Sequence, residues 1–341
     1  MCPLRLLPKV FLFDDEELLP ELRAQRVLNK ARIPEISRYV IENRDAYVFS
    51  AITASVDGEV RFVPIGHGGE ANKVGSLHVD MRSRFIINDG QHRRAAIEMA
   101  LKVEPSIGDE TIAVVFFVDR GLARCQQMFA DLNRHAVRPS RSLGLLYDHR
   151  NELSKLARLV VIGSAVFRDV VEMERSTLSE RSRKLFTLSA VYSAIEELIG
   201  GAEISDHQRM AAQCASFWDA VAEQLPEWRF VRESKMTAGE VRRDFLHSHA
   251  IVLQALGVVG RELLALPETT WKKKITALGK IDWSRSNARV WEGRALIGGR
   301  VSKASHNVTL TCNYIKQQLG LELGPEELRA EKAFKRGRET E

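Results

Sequence analysis

Asp89-Gly90-Gln91-His92-Arg93-Arg94 gathers an acid, an amide, an imidazole and two guanidinium groups within six positions. The preceding RFIIN (Arg84–Asn88) reads as a strand, and the following AAIEMALK is a strong helix former, so the six residues form a strand-to-helix turn. A glycine there lets the backbone approach a ligand with no Cβ in the way. The free N–H groups of the helix's first turn, and its dipole, favour an anion in the same space. Arg93 and Arg94 add fork-shaped donors suited to phosphate. Gln91 and His92 add neutral hydrogen-bonding groups, and His92 can move a proton near neutral pH. Asp89 can orient an arginine, hold a metal or act as a base. One reading is a phosphate-binding turn, with no catalytic residue assigned. A purely structural role fits the same residues: Asn88 or Asp89 as an N-cap worth about 1 kcal/mol, a packed His92 and two solvated arginines.

Three further segments concentrate positive charge. NRHAVRPSRSL places Arg134, Arg138 and Arg141 in a loop after a helix, where they either grip a phosphate backbone or are solvated. In STLSERSRK (176–184), Arg181, Arg183 and Lys184, with Arg175 just before them, stand beside several hydroxyls. Residues 271–303 hold nine basic and two acidic residues, a surplus of seven. There the candidates for DNA phosphate are Lys272, Lys273, Lys274, Arg285, Arg289, Arg294 and Arg300. Trp271, Trp283 and Trp291 are interleaved with them and either pack in a core, the favoured reading, or lie on sugar and base. Other chemistries lack their signatures: there is no GxSxG, no Walker loop and no HExxH. Cys2, Cys125, Cys214 and Cys312 are scattered, and His247 and His249 are read as split across a helix, so no metal site is expected.

The elements that must position these residues divide into two kinds. Before residue 150, helical spacing over 34–43, a strand over 47–56 and a returning strand over 59–65 predict a helix and a hairpin turned at Asp57-Gly58. A short strand over 77–81, the strand–turn–helix at 84–102, a buried strand over 111–119 and a helix over 122–133 follow. Beyond 150 the pattern is helical: 151–162, 187–199, 207–224 and 245–266. The fold class is therefore α+β, with a mixed α/β domain over 1–149, a mainly helical domain over 150–323 and a charged tail over 324–341 expected to fray. The 341 residues, 45% of them hydrophobic, exclude a mainly disordered chain. Fifty Lys and Arg against 45 Asp and Glu leave +5, and the first 149 residues are neutral, so the surplus lies in the second part. No apolar run of about 18 residues occurs, which excludes a membrane-spanning helix. Pro3, Pro8 and Lys9 interrupt the N-terminal apolar patches, and unpaired cysteines fit a reducing compartment, so a cytoplasmic protein is expected.

NDGQHRRAAIEMAL, then TIAVVFFVDRGLARCQQMFADLNRHAVRPSRSLGLLYDHR, then MERSTLSERSRKLFTLSA, together with the N-terminal FLFDDEELLPELRAQRVLNKARIPEISRYV, resemble the DndB family of the bacterial DNA phosphorothioation (DNA sulfur modification) system. The resemblance covers most of the chain. The wider DGQHR group is similar to the ParB and sulfiredoxin fold, in which a comparable turn with paired basic residues holds nucleotide phosphates. That likeness reaches Gly90, His92, Arg93 and Arg94. The resemblance implies a repressor that binds double-stranded DNA upstream of the modification genes, with a further role assisting the modification proteins. A homo-oligomer would match two-fold operator sites. The alternatives are a nucleotide-binding or nucleotide-hydrolysing switch at the DGQHR turn, with ATP or another nucleotide as its ligand, and a scaffold for the modification enzymes.

Overall fold

The computed structural model describes residues 1–11, 29–80, 82–118, 127–128, 131 and 139–339. The fold is α+β, and the chain forms two compact units, Met1–Val137 and Arg138–Glu341.

The first unit is built on a three-stranded sheet with Ile52–Asp57 at its centre. Arg84–Asp89 runs antiparallel to it on one side (Val56 opposite Phe85, Ala54 opposite Ile87). Val114–Val118 runs parallel to it on the other (Ile52 opposite Val114). Both edges of the central strand are thus occupied. That is why the expected hairpin does not form: Val60–Pro64 pairs instead with Gly75–Val79, in a separate ribbon. The turn at Gly58, with φ +151° and Ser83 packed where a Cβ would stand, redirects the chain. Helices Ile33–Glu42 and Gln91–Val103 pack on each other. Val40, Ile52, Ala54, Ile87, Ile97, Ala100 and Ile107 form one core with Leu4, Leu7 and Phe11. The apolar run at 111–119, expected to be buried, splits in two. Thr111–Ile112 pairs with Cys2–Pro3, while Val114–Val118 lies at the sheet edge with Val115, Phe116 and Val118 exposed. The helix expected over 122–133 falls largely outside the described residues.

The second unit is helical, as its apolar spacing requires. Side-chain caps start its helices: Asn151 accepts from the Ser154 N–H, Thr187 from that of Ala190 and Asp206 from that of Arg209. Residues 139–149, assigned from sequence to the first domain, belong here. The Ser142 N–H donates to Ser176 Oγ at 2.9 Å, and the Ser189 N–H donates to Ser142 Oγ at 3.2 Å. Helix Ala250–Leu264 starts later than its apolar pattern, because Phe245 is extended and bridges Ser284. Helices Leu188–Ile199, Ala250–Leu264 and Ser305–Gln318 run parallel. Gly257 and Gly260 lie against Ala194 and Leu198, and Cys312 and Lys316 reach Ala255 and Glu262. A Cβ at Gly257 would stand 2.2 Å from the Ala194 carbonyl oxygen, so only glycine allows this approach.

The segment 324–341, read as a frayed tail, is helical over Pro325–Glu339. Its apolar content is low, but buried polar contacts hold it. Glu331 pairs with Arg294, Lys316 pairs with Glu327, and the ring of Phe334 covers the Arg294 guanidinium.

Candidate functional site

The strand-to-helix turn forms as the residue pattern requires. Asp89 ends its strand, Gly90 takes φ +108° and ψ 12°, and the helix starts at Gln91. A Cβ on Gly90 would stand 3.0 Å from Ile52 Cγ1 and 3.1 Å from Arg93 Nη2. The polar side chains turn mainly onto the protein itself. Arg93 Nη2 donates to Asp89 Oδ2 at 2.7 Å and to the Ala51 carbonyl at 3.2 Å. Arg94 is buried; it donates to Glu98 Oε2 at 2.5 Å and reaches the Pro8 carbonyl at 3.4 Å. Gln91 Nε2 donates to the Ile87 carbonyl, closing the turn. His92 Nε2 accepts from the Asn29 N–H at 2.9 Å, which requires that nitrogen to be unprotonated. Burial first, then the nearby Arg32 and Arg93, lower the His92 pKa and favour this neutral form. Asn88 is buried and donates to Ser55 Oγ at 2.7 Å. Among the described residues, Asn88 Oδ1 and Arg93 Nε are buried without a hydrogen-bond partner. Neither arginine expected to hold phosphate presents a free fork: Arg93 is braced by its own turn, and Arg94 is enclosed with Glu98.

The basic candidates of the second unit separate into internal and exposed groups. Arg294 is internal, bonded to both oxygens of Glu331 at 2.5 and 2.9 Å and to the Leu310 carbonyl at 2.7 Å. Lys274 caps the end of helix Ser305–Gln318 through the Leu319 and Gly320 carbonyls. Lys184 donates to the Asp169 carbonyl and Arg285 to the Gly299 carbonyl. Lys272 pairs with Glu268 on the surface. Arg141 is exposed and lies over the Tyr192 ring. Arg181, Arg183, Lys273, Arg289 and Arg300 are exposed. Of these, Arg181, Arg183, Lys273 and Arg300 form no ion pair among the described residues. Arg134 and Arg138 lie outside the described residues. The three tryptophans are core: Trp271, Trp283 and Trp291 are buried, and the last two stack at 5.3 Å. Trp283 Nε1 donates to the Leu278 carbonyl and Trp291 Nε1 to that of Asp282, so both indoles are satisfied inside.

His247 and His249 are not on a helix; they precede helix Ala250–Leu264. His247 Nδ1 accepts from Trp228 Nε1 at 2.9 Å, and His249 Nε2 stands 2.8 Å from the Arg242 carbonyl. No cluster of metal-ligating side chains occurs among the described residues.

The family model for DndB, described as DNA-sulfur modification-associated, matches residues 1–322. The chain belongs to the DndB family. Its association with DNA sulfur modification therefore covers both units, and the helix Pro325–Glu339 lies beyond the family match. No curated protein and no solved structure matches the chain. No helix among the described residues is long and apolar enough to cross a membrane.

Sequence reasoning missed Arg242. In helix Ala238–Asp244 it looks like an ordinary surface arginine, yet its guanidinium gathers the carbonyls of Ser179, Glu180, Ser182 and Lys184. The available signal was Gly239 in the first turn of that helix: a Cβ there would stand 2.3 Å from the Glu180 carbonyl oxygen. A glycine inside a helix costs stability unless something must approach closely.

Proposed function

We propose that this DndB-family protein binds double-stranded DNA and represses the phosphorothioation gene cluster, with a further role assisting the modification proteins in the cytoplasm. One observation supports it above the others. The unit that carries the chain's charge surplus exposes Arg181, Arg183, Lys273 and Arg300 without carboxylate partners among the described residues, in a family associated with DNA sulfur modification. Cations left uncompensated at a surface release counterions when they meet phosphate, and that release drives DNA binding. The test is a gel shift on the promoter region of the modification genes at several salt concentrations, paired with transcript levels after deletion of the gene. Promoter-selective retardation with raised transcripts supports repression; sequence-blind binding with unchanged transcripts refutes it.

A nucleotide-dependent switch at Asp89–Arg94 is the second reading. Asn88 Oδ1 and Arg93 Nε, buried and unpartnered among the described residues, favour it; the internal pairing of Arg93 and Arg94 weighs against it. A rise in melting temperature with ATP or CTP that Arg93→Ala abolishes would support it. Saturating ligand at a hundredfold excess over its Kd adds about 2.7 kcal/mol, a shift well within measurement; no shift with any nucleotide rules it out.

A further inference from the structure

The loop 176–184 is held by an arginine rather than by secondary structure. Arg242 Nη2 donates to the carbonyls of Ser179 (2.6 Å), Glu180 (3.3 Å) and Ser182 (3.3 Å), and its Nη1 donates to that of Lys184. Gly239 lets the Arg242 helix close on the Glu180 carbonyl, and a capping box of Thr237 and Glu240 fixes the start of that helix. Lys184 Nζ ties the far end of the loop to the Asp169 carbonyl.

Peptide planarity turns this clasp into a statement about donors. In a trans peptide the C=O of one residue and the N–H of the next point in opposite directions. No cis peptide occurs among the described residues. Because the carbonyls of Ser179, Glu180 and Ser182 aim at Arg242, the N–H groups of Glu180, Arg181 and Arg183 aim away from it. Those three N–H groups donate to nothing among the described residues. The side chains of Arg181 and Arg183 are exposed on the same loop. Three free backbone donors and two guanidinium groups on one short loop make an anion nest, the arrangement by which backbone and arginine together hold phosphate.

We propose that the loop 179–183 is a phosphodiester-binding nest that seats on the backbone of duplex DNA, with Arg242 as the positioning residue beneath it. The assignment rests on the DNA-binding reading above and adds where the phosphates sit. Phosphate contacts fix the register of a protein on a duplex without reading sequence, so the nest serves affinity and orientation. Glu180 is the acid within the loop, with Arg243 as its electrostatic neighbour; it holds the nest's strength below what the arginines alone would give.

The test uses the full chain and fluorescence anisotropy with a promoter-derived duplex across a salt series. The double variant Arg181→Ala/Arg183→Ala is expected to keep its melting temperature, to bind on the order of tenfold more weakly, and to lose about 2 from the slope of log K against log salt. Glu180→Gln is expected to bind more tightly. Arg242→Lys, which cannot span four carbonyls, is expected to weaken binding and to speed amide hydrogen exchange at 180–183, with a smaller change in slope than the double variant. If Arg242→Lys does not fold, the double variant and Glu180→Gln still decide. Wild-type protein that binds duplex DNA while the double variant matches it in affinity and slope overturns the nest and leaves the DNA-binding reading standing. Wild-type protein that binds no duplex overturns that reading itself. If inorganic phosphate or a mononucleotide binds the loop and the duplex does not, the assignment to duplex DNA is overturned.

Discussion

Arg294 and Glu331, 37 residues apart, form a two-pronged ion pair at 2.5 and 2.9 Å in which both side chains are at most 7% exposed. The guanidinium is roofed by the Phe334 ring 4.4 Å from its centre, and its spare donor reaches the Leu310 carbonyl. An arginine read as a phosphate contact therefore fastens the C-terminal helix. Removing one partner strands a buried charge, so Glu331→Gln or Arg294→Ala should cost about 3–5 kcal/mol. Denaturant unfolding measures the loss. Limited proteolysis should show new cleavage within 325–339, and a variant with unchanged midpoint and cleavage pattern contradicts the fastening role.

Acid should loosen the second unit through His249. Burial, the largest cause, lowers its pKa to about 4, with Arg285, His247 and Arg242 adding to the shift and the bond to the Arg242 carbonyl opposing it. Above the ordinary histidine pKa of about 6.5 the ring is neutral in folded and unfolded chains, so it leaves stability unchanged there. Below that, the unfolded chain takes up a proton that the folded chain refuses, and stability falls until pH reaches about 4. The loss from this residue is at most about 3 kcal/mol. Melting curves between pH 7 and pH 4 should show the decline, and His249→Asn should flatten it.

Gly90→Ala should destabilise the first unit. The substitution asks alanine to adopt φ +108° and to stand 3.0 Å from Ile52 Cγ1. The backbone cost alone is about 1–2 kcal/mol, and the close approach adds to it. Thermal unfolding reports the effect, and a neutral substitution would show that the turn relaxes freely.

The buried indoles predict a spectroscopic silence. Trp271, Trp283 and Trp291 have no face free for a base, so their emission should resist iodide quenching and should not change when duplex DNA saturates the protein. Strong quenching by DNA would place bases on them instead.

Lys273 is exposed and forms no ion pair among the described residues. Under the DNA-binding proposal, Lys273→Ala should lower the salt slope by about 0.9 with no change in melting temperature. An unchanged slope removes this residue from the interface.

Much of the architecture was legible from the chain alone, for local reasons. Asn151, Thr187 and Asp206 announce their helices because a short oxygen-bearing side chain satisfies the first free N–H groups wherever it sits. Asp89-Gly90 announces its turn because only glycine takes that backbone at low cost. Local patterns likewise separated the α/β part from the helical part. What each charged side chain does could not be read this way. Arg93 and Arg94 looked like a phosphate fork; the buried Arg94 met the half-buried Glu98, and Arg93 met Asp89 and the Ala51 carbonyl. Arg294 was indistinguishable by sequence from Arg300, yet one is sealed against Glu331 and the other exposed. The partners of Val60–Pro64 and of Arg242 were equally hidden, since they lie on segments brought close only by folding. Backbone preference acts over a few residues and is written in them. The pairing of a guanidinium or a strand edge depends on which distant group the folded chain brings within bonding distance, and only the tertiary structure decides that.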